Sequence, residues 1–248
     1  MITATMATYP PRRDSAIQVA RSIAPQVDRL TVVLNEYSTP LAELNDIANI
    51  RQVIPPRDLK DVGKFMPDVS QAKFVFLIDD DILYPPDYVR RSLNQIATLG
   101  PRRAVWGYHA STYLRPAFAL RAKQIRALVN WYRGRPDLVR QVSFFERALE
   151  RAMFVDQLGT GTVICRGSDM PPFTFMESSA KFVDVRFAGW CHGSGLDQIA
   201  LPREAGWLKA VRHDETIFSE FTLHMPDHVV REIRGFAGER AHVGHIAE

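Results

Sequence analysis

Cysteine is almost missing from this chain, with only Cys165 and Cys191 in 248 residues. Two thiols far apart build neither a disulfide framework nor a clustered metal site, so both are expected as free thiols in a reducing compartment. Long apolar runs are missing too. Nothing approaches the roughly 18 consecutive apolar residues of a membrane-spanning helix, and the opening "MITATMATYPPRR" lacks the charged-then-apolar order of a secretion signal. The expectation is a cytoplasmic protein. There is no internal repeat and no low-complexity tract. Charge of one sign is scarce overall, since the net charge is only +3, but it is unevenly spread. From Arg115 to Arg151 there are nine Arg or Lys against three acids, Asp137, Glu146 and Glu150. No helix-turn-helix, zinc or RNA-recognition signature accompanies that basic segment, and nucleic acid is not an expected partner.

What is present is an ordinary globular composition, 46% hydrophobic and 24% charged, on a length that suits one large α/β domain. The chain opens with a short β-run broken by Pro10 and Pro11. The stretch "DSAIQVARSIAPQV" then shows helical spacing of Ile17, Ala20, Ile23 and Ala24, with Asp14 or Ser15 placed to cap it. "RLTVVLNEY" reads as the next strand, "IRQVIPP" as a third and "VSQAKFVFLI" as a fourth. A helix follows over "PDYVRRSLNQIATLG", with Gly100 as its stop. "RRAVWGYHA", "LGTGTVICR" and "LDQIALP" read as later strands. "KFVDVRFAGWCHGSG" reads as a short helix ended by Gly193 or Gly195, and a last helix is expected around "PDHVVREIRGFAGERAHV". Strand and helix alternate through the first half, which predicts an open, mostly parallel sheet flanked by helices.

The fourth strand carries the sharpest signal, "KFVFLIDDDILYPPDY". Five apolar residues, Phe74 to Ile78, are followed at once by Asp79, Asp80 and Asp81. In open α/β sheets ligands bind outside the carboxyl ends of strands, and three like charges there repel unless a cation joins them. Mg²⁺ or Mn²⁺, which prefer oxygen donors, would serve. Extended geometry would put Asp79 and Asp81 on one side and Asp80 on the other. The plainer reading is that these acids solvate a loop end and cap the next helix. A calcium-binding EF-hand loop is excluded, because Tyr84 stands where its glycine belongs.

The segment "FLIDDDILYPPDYV" resembles the Asp-X-Asp stretch of GT-A-fold glycosyltransferases, especially bacterial enzymes similar to family 2. "ITATMATYPPR" resembles the first strand and loop of that family, and "DVGKF" its Asp-X-Gly-X-X-Lys-like stretch, one residue shorter here. With "VDVRFAGWCHGSGLDQIALPREAGW" the resemblance runs from residue 1 to about 220. It implies a Rossmann-like GT-A sheet with a nucleotide-sugar half over about 1–105 and an acceptor half over about 106–220. It also implies a donor site for a nucleotide sugar such as a UDP-sugar. In that site Thr8, Tyr9, Pro10 and Arg12 cradle the nucleotide, Asp61 and Lys64 lie by the base, Asp79 faces the ribose with Asp80 beside it, and Asp81 holds the metal. Without the family, Lys64, Arg12 and Arg13 read equally well as solvated surface groups.

Inverting transfer needs a carboxylate to take the acceptor's proton. Asp184, where similar enzymes carry the catalytic Asp, is the candidate; Asp197 is the alternative, and helix capping is the plain reading of Asp184. The paired Glu-Asp of many relatives is absent. A histidine late in such chains often completes the metal site, so His213, with His224 behind it, is the third-ligand candidate, and His109 is placed on the acceptor side. Trp106, Trp190 and Trp207 read either as sugar-stacking rings or as core. The acceptor would be a saccharide or a lipid-linked saccharide. The basic segment is either a wet helix face or a peripheral contact with anionic lipid at the inner face of the membrane. Two rival classes remain: a haloacid-dehalogenase-like Mg²⁺-dependent phosphatase, which expects its Asp-X-Asp on the first strand with Thr or Val where Leu83 stands, and a catalytically inactive sugar-nucleotide-binding module.

Overall fold

The computed structural model describes residues 1–113, 125, 128–130, 132–135, 140–211, 225–237 and 244–246. The opening run forms strand β1 (Ile2–Thr8), buried over most of its length. The proline pair then bars further pairing, and Pro10–Arg12 is a single 3-10 turn leading into helix α1 (Arg13–Ile23). One stripe of α1, Ala16, Val19, Ala20 and Ile23, is buried. The helix starts earlier than the expected caps allow. Arg12 is its N-cap residue, Ser15 Oγ donates to the Arg12 carbonyl at 2.9 Å, and Asp14 is exposed in the first turn, so neither Asp14 nor Ser15 caps it.

Strands β2 (Arg29–Leu34), β3 (Ile50–Val53) and β4 (Phe74–Asp79) join β1 in all-parallel pairing, in the order β3-β2-β1-β4. Alternation splits the apolar run of β4 between the two faces of the sheet. Phe76 and Ile78 pack with Met6, Leu30, Val32 and the buried stripe of α1. Val75 and Leu77 pack with Val62, Phe65 and Phe187 on the other side. A strand covered on both faces is apolar throughout, which is why the run was visible in the sequence.

A two-residue strand β5 (Ile82–Leu83) precedes helix α2 (Tyr88–Thr98), and Gly100, at φ +76°, takes the left-handed turn beyond it. Strands β6 (Ala104–Gly107), β7 (Ala110–Tyr113), β8 (Arg140–Ser143), β9 (Met153–Phe154), β10 (Gln157–Leu158) and β11 (Ile164–Cys165) follow. Next come helices α3 (Phe173–Met176) and α4 (Val183–Gly193), strands β12 (Asp197–Ala200) and β13 (Lys209–Ala210), helix α5 (Asp227–Arg234) and strand β14 (Gly244–His245). Among the described residues the main sheet has nine strands in the order β14-β9-β12-β6-β11-β4-β1-β2-β3. Of these described strands, β9 and β11 run against the others. This is the expected α/β architecture, an open, mostly parallel sheet with helices on its faces.

The reversal of β11 positions the site. Because β11 runs antiparallel between β4 and β6, the residues just before it return to the edge where β1, β4 and β6 end. Cys165 and Cys191 are buried thiols outside any disulfide. No helix among the described residues is long and apolar enough to cross a membrane.

Candidate functional site

Side chains from five separate stretches converge at the carboxyl edge of β1 and β4. Asp79 is the last residue of β4, and the chain turns at once through Asp80 and Asp81. Extended alternation therefore stops at Asp79, and the expectation that it sets Asp81 beside Asp79 fails as a local rule. The turn does the work instead. Arg12, from the 3-10 turn after β1, places Nη1 2.8 Å from Asp80 Oδ1 and 2.8 Å from Asp81 Oδ2. Lys64, in the 3-10 helix Lys60–Phe65 that follows β3, pairs with Asp79 Oδ1. The same ammonium lies 3.4 Å from Thr160 Oγ1. Thr160 in turn donates its N–H at 2.8 Å and its hydroxyl at 2.7 Å to Asp184 Oδ1 in the first turn of α4. An unbroken polar chain thus runs Asp79–Lys64–Thr160–Asp184.

Two local devices hold it. Tyr84 Oη accepts the Asp79 N–H at 2.9 Å and donates to the Gly161 carbonyl at 2.5 Å, pinning the end of β4 to the returning loop. Any larger residue at Gly161 would have to displace the Asp79 side chain, since a Cβ would sit 2.2 Å from Asp79 Oδ2. Asp61 receives the Lys181 N–H on both oxygens, at 2.9 and 3.1 Å, and so holds Lys181 at φ +73° just before α4.

Burial sets the electrostatics. Lys64 is 3% exposed and Arg12 12%, so both are committed to the acids, contrary to the solvated-surface reading of these residues. Burial alone would lower the Lys64 and Arg12 pKa values, but the facing aspartates outweigh it and raise both. Burial pushes Asp61 up to about 6. It does the same to Asp81, with the Asp79 charge adding to it. Asp80 is raised by burial as well, against the pull of Arg12. His109, just beyond β6, is packed against Phe144 and Phe145, and burial pushes its pKa down to about 4 despite the nearby Asp184 charge. Its ring is neutral, and its Nδ1 is buried without a partner. Aspartates outnumber the cations that touch them.

The structure gathers most of the residues named from sequence. Thr8 ends β1, Tyr9 and Pro10 open the turn that carries Arg12, and Asp61, Lys64, Asp79, Asp80, Asp81 and Asp184 lie near enough to interact at the same edge of the sheet. Asp184 is not a capping residue, because the N-cap of α4 is Phe182 with no side-chain cap bond. Asp197 begins β12 opposite Ala104, the first residue of β6, at the other edge of the sheet from the acids. His213 and His224 lie outside the described residues. Trp106 is core, Trp190 donates to the Asp169 carbonyl at 2.9 Å, and Trp207 packs on Tyr88 and Tyr108. Thr160 and Tyr84 were missed as site residues. The paired glycines of "LGTGTVICR" were the available signal, since they mark a backbone that must approach something closely.

By donor chemistry the aspartates suit an oxygen-preferring divalent ion, for Arg12 Nη1 already stands as a cation between Asp80 and Asp81. As the side chains lie, no three His, Cys, Asp or Glu among the described residues are grouped to hold a metal ion.

Fold and site together define an α/β protein with an acidic, cation-braced cluster at the carboxyl edge of its sheet. No family model and no curated protein matches the chain. Among solved structures it is similar to a mycobacterial protein, with 14% identity, a TM-score of 0.47, and 90% of this chain and 70% of that chain covered. It is also similar to glucosyl-3-phosphoglycerate synthase from Mycobacterium tuberculosis in complex with phosphoglyceric acid, with 14% identity, a TM-score of 0.47, and coverage of 96% and 80%. These are likenesses of outline, and the functional reading below stands on this chain's own residues.

Proposed function

We propose that this protein is a glycosyltransferase that takes a sugar from a nucleoside-diphosphate donor and passes it, with inversion, to a hydroxyl of a saccharide or lipid-linked acceptor. The observation that supports the reading most is the chain Asp79–Lys64–Thr160–Asp184 beside the Arg12–Asp80–Asp81 pair. It ranges a base, fixed cations and surplus carboxylates along one crevice. Asp184 takes the proton from the acceptor hydroxyl; the acceptor oxygen attacks the anomeric carbon, and the bond to the diphosphate oxygen breaks with its electron pair leaving on the diphosphate. Asp184 Oδ1 is held by two donors from Thr160, which fixes its direction while leaving Oδ2 for the acceptor. Neutral His109 stands on the acceptor side as a hydrogen-bond partner. Asp81, with Asp79 and Asp80, would hold Mg²⁺ or Mn²⁺, and such an ion supplies positive charge against the departing diphosphate.

The test is release of free nucleoside diphosphate from a panel of sugar nucleotides, UDP-sugars first, with and without a divalent cation. Release of inorganic phosphate from phosphomonoesters would instead favour the phosphatase class. The motif's place on β4, the fourth strand in the chain, already speaks against that class. Binding of the donor without release would mark an inactive binding module.

A second reading concerns location. Residues 125, 128–130 and 132 are helical, and Ile125, Val129 and Tyr132 are 51%, 41% and 80% exposed, at spacings that put them on one stripe. They lie inside the most basic segment of the chain. The Arg234 guanidinium of α5 lies beside Gly134, within 3 Å of where a Cβ would be, so a basic group from a distant element joins the same surface. Apolar side chains amid arginines suit the interface of an anionic bilayer, which supports peripheral membrane contact.

A further inference from the structure

The amino ends of the first three strands break the rule that a parallel sheet is apolar on both faces. On the face that carries Val75 and Leu77, strand pairing sets Thr3 between Val75 and Arg29, and Thr5 between Leu77 and Thr31, with Arg51 beyond Thr31. Apolar residues on β4 thus give way to threonines and arginines. Thr3, Thr5 and Thr31 are buried, and Thr5 Oγ1 has no hydrogen-bond partner among the described residues. Valine would fill the same space without burying a hydroxyl, so packing does not explain three threonines there. The covering element leaves room above them. The 3-10 helix Lys60–Phe65 closes over the carboxyl half of this face, where a Cβ on Gly63 would lie 3.0 Å from Val33 Cγ1 and 3.3 Å from Ala7 Cβ. Beyond it the chain passes over the amino half through Met66 to Val69, and an open cavity of about 280 Å³ remains between that segment and Arg29, Thr31 and Arg51.

We propose that this cavity is a second binding site, for a small phosphomonoester, in which Arg29 and Arg51 clamp the phosphate over the threonine floor. Neither guanidinium has an ion pair or a hydrogen bond among the described residues. Asp68 is the acid of the cavity wall, and its Oδ1 already accepts the Ser70 N–H at 3.0 Å, so two cations face one acid. Two guanidinium forks on adjacent strands suit a doubly charged group with several acceptor oxygens better than a single carboxylate. The volume lies at the lower end of the range for ligand pockets, about 300 Å³, which fits a small ligand. The site is separate from the acids of the carboxyl edge. Thr3 and Thr8 are five residues apart on β1, about 16 Å along an extended strand, so the inference does not rest on the donor site proposed above.

The test is calorimetric titration of the protein with inorganic phosphate, glycerol phosphate and acetate, with thermal melting to confirm that each variant is folded. Glycerol phosphate is expected to bind the wild type with a dissociation constant of about 1 mM or below, and at least about tenfold more tightly than acetate. Arg29→Gln and Arg51→Gln should each weaken it about tenfold, the scale of one charge-assisted contact. Arg90→Gln, which removes an exposed arginine of α2, should leave it within about twofold, because a distant surface charge is screened. Thr31→Val keeps the shape of the side chain and should weaken phosphate binding about threefold while the melting temperature is retained, a split that a purely structural threonine would not give. Short-chain phosphatidic acid carries the same head as glycerol phosphate, and the tighter of the two tells whether the group arrives on a lipid or free. No binding of inorganic phosphate or glycerol phosphate up to about 10 mM overturns the site. So does binding that Arg29→Gln and Arg51→Gln both leave unchanged, which would put the anion elsewhere on the molecule. Acetate binding as tightly as glycerol phosphate would overturn the phosphomonoester class.

Discussion

Replacing Asp184 by Asn separates the chemistry of the crevice from its architecture. Oδ1 of Asp184 accepts two hydrogen bonds from Thr160, at 2.8 Å from N and 2.7 Å from Oγ1. The amide oxygen of Asn accepts the same two bonds in the same place, but without the charge that strengthens them. That loss costs about 1 kcal/mol per bond, with a few tenths more for removing an acid from the first turn of α4. The fold should survive with roughly 2 kcal/mol less stability by chemical denaturation. Turnover should suffer far more, because an amide takes no proton from the acceptor. A general base is worth about 10²–10⁴ in rate, or about 3–5 kcal/mol on the barrier. On the proposed reading the donor binds by Asp79 to Asp81, and calorimetry should find its affinity within about threefold of the wild type. The matched variant Thr160→Val removes one donor to Asp184 and leaves the carboxylate charged; it should lower turnover about tenfold, the effect of a misdirected base rather than a lost one. Wild-type turnover in Asp184→Asn would refute the base assignment, and equal losses of donor affinity and turnover would make Asp184 structural.

Other expectations follow from the same geometry. Gly161→Ala puts a Cβ 2.2 Å from Asp79 Oδ2, so it should displace Asp79 from Lys64 and weaken donor binding at least about tenfold; unchanged donor affinity would mean that Asp79 does not face the ligand. His109 has an ordinary pKa of 6.5 in the unfolded chain and about 4 in the fold, so its contribution is whole above pH 6.5 and is lost as pH falls towards 4, up to about 3 kcal/mol. Asp61 and Asp81, both raised to about 6, act in the opposite sense over much of that range, so the readout is the difference between His109→Gln and the wild type: the variant's stability should fall less between pH 7 and pH 4.5, and parallel curves would contradict the buried neutral ring. If the basic surface docks on lipid, the protein should co-sediment with anionic vesicles at low salt and release at high salt, each basic group contributing about 1 kcal/mol. Tyr132→Ser should weaken that binding and Arg133→Gln should flatten its salt dependence, whereas no sedimentation at any salt would leave a wet helix face; Arg121 and Arg126, in the same segment, lie outside the described residues.

The parts of this protein that were legible in the sequence are those whose cause is local. β4 is a five-residue apolar run because both faces of the sheet cover it, and Pro10 and Gly100 mark chain turns by backbone restriction alone. The triple aspartate was legible as the end of that strand for the same reason. Its wiring was not. Arg12 and Asp80 are 68 residues apart, and Thr160 and Asp184 are 24 apart, so no periodicity links them. The alternation rule failed at Asp81 because the strand had already ended. The start of α1 was placed too late because Asp and Ser favour caps on average, while here the turn after the prolines set the first helical residue at Arg13. β11 keeps only two residues, too few to announce a reversal, yet that reversal brings Thr160 and Gly161 to the acids.

The most direct test of the central claim is to incubate the wild type and Asp81→Ala with a panel of sugar nucleotides and candidate saccharide acceptors, with Mn²⁺, Mg²⁺ or chelator, and to measure free nucleoside diphosphate together with the anomeric configuration of the product. The expected result is cation-dependent release from at least one donor, an inverted product, and loss of release in Asp81→Ala while its melting temperature is retained. A wild-type protein that binds no sugar nucleotide and releases no nucleoside diphosphate under any of these conditions, or an Asp81→Ala variant as active as the wild type, would contradict it.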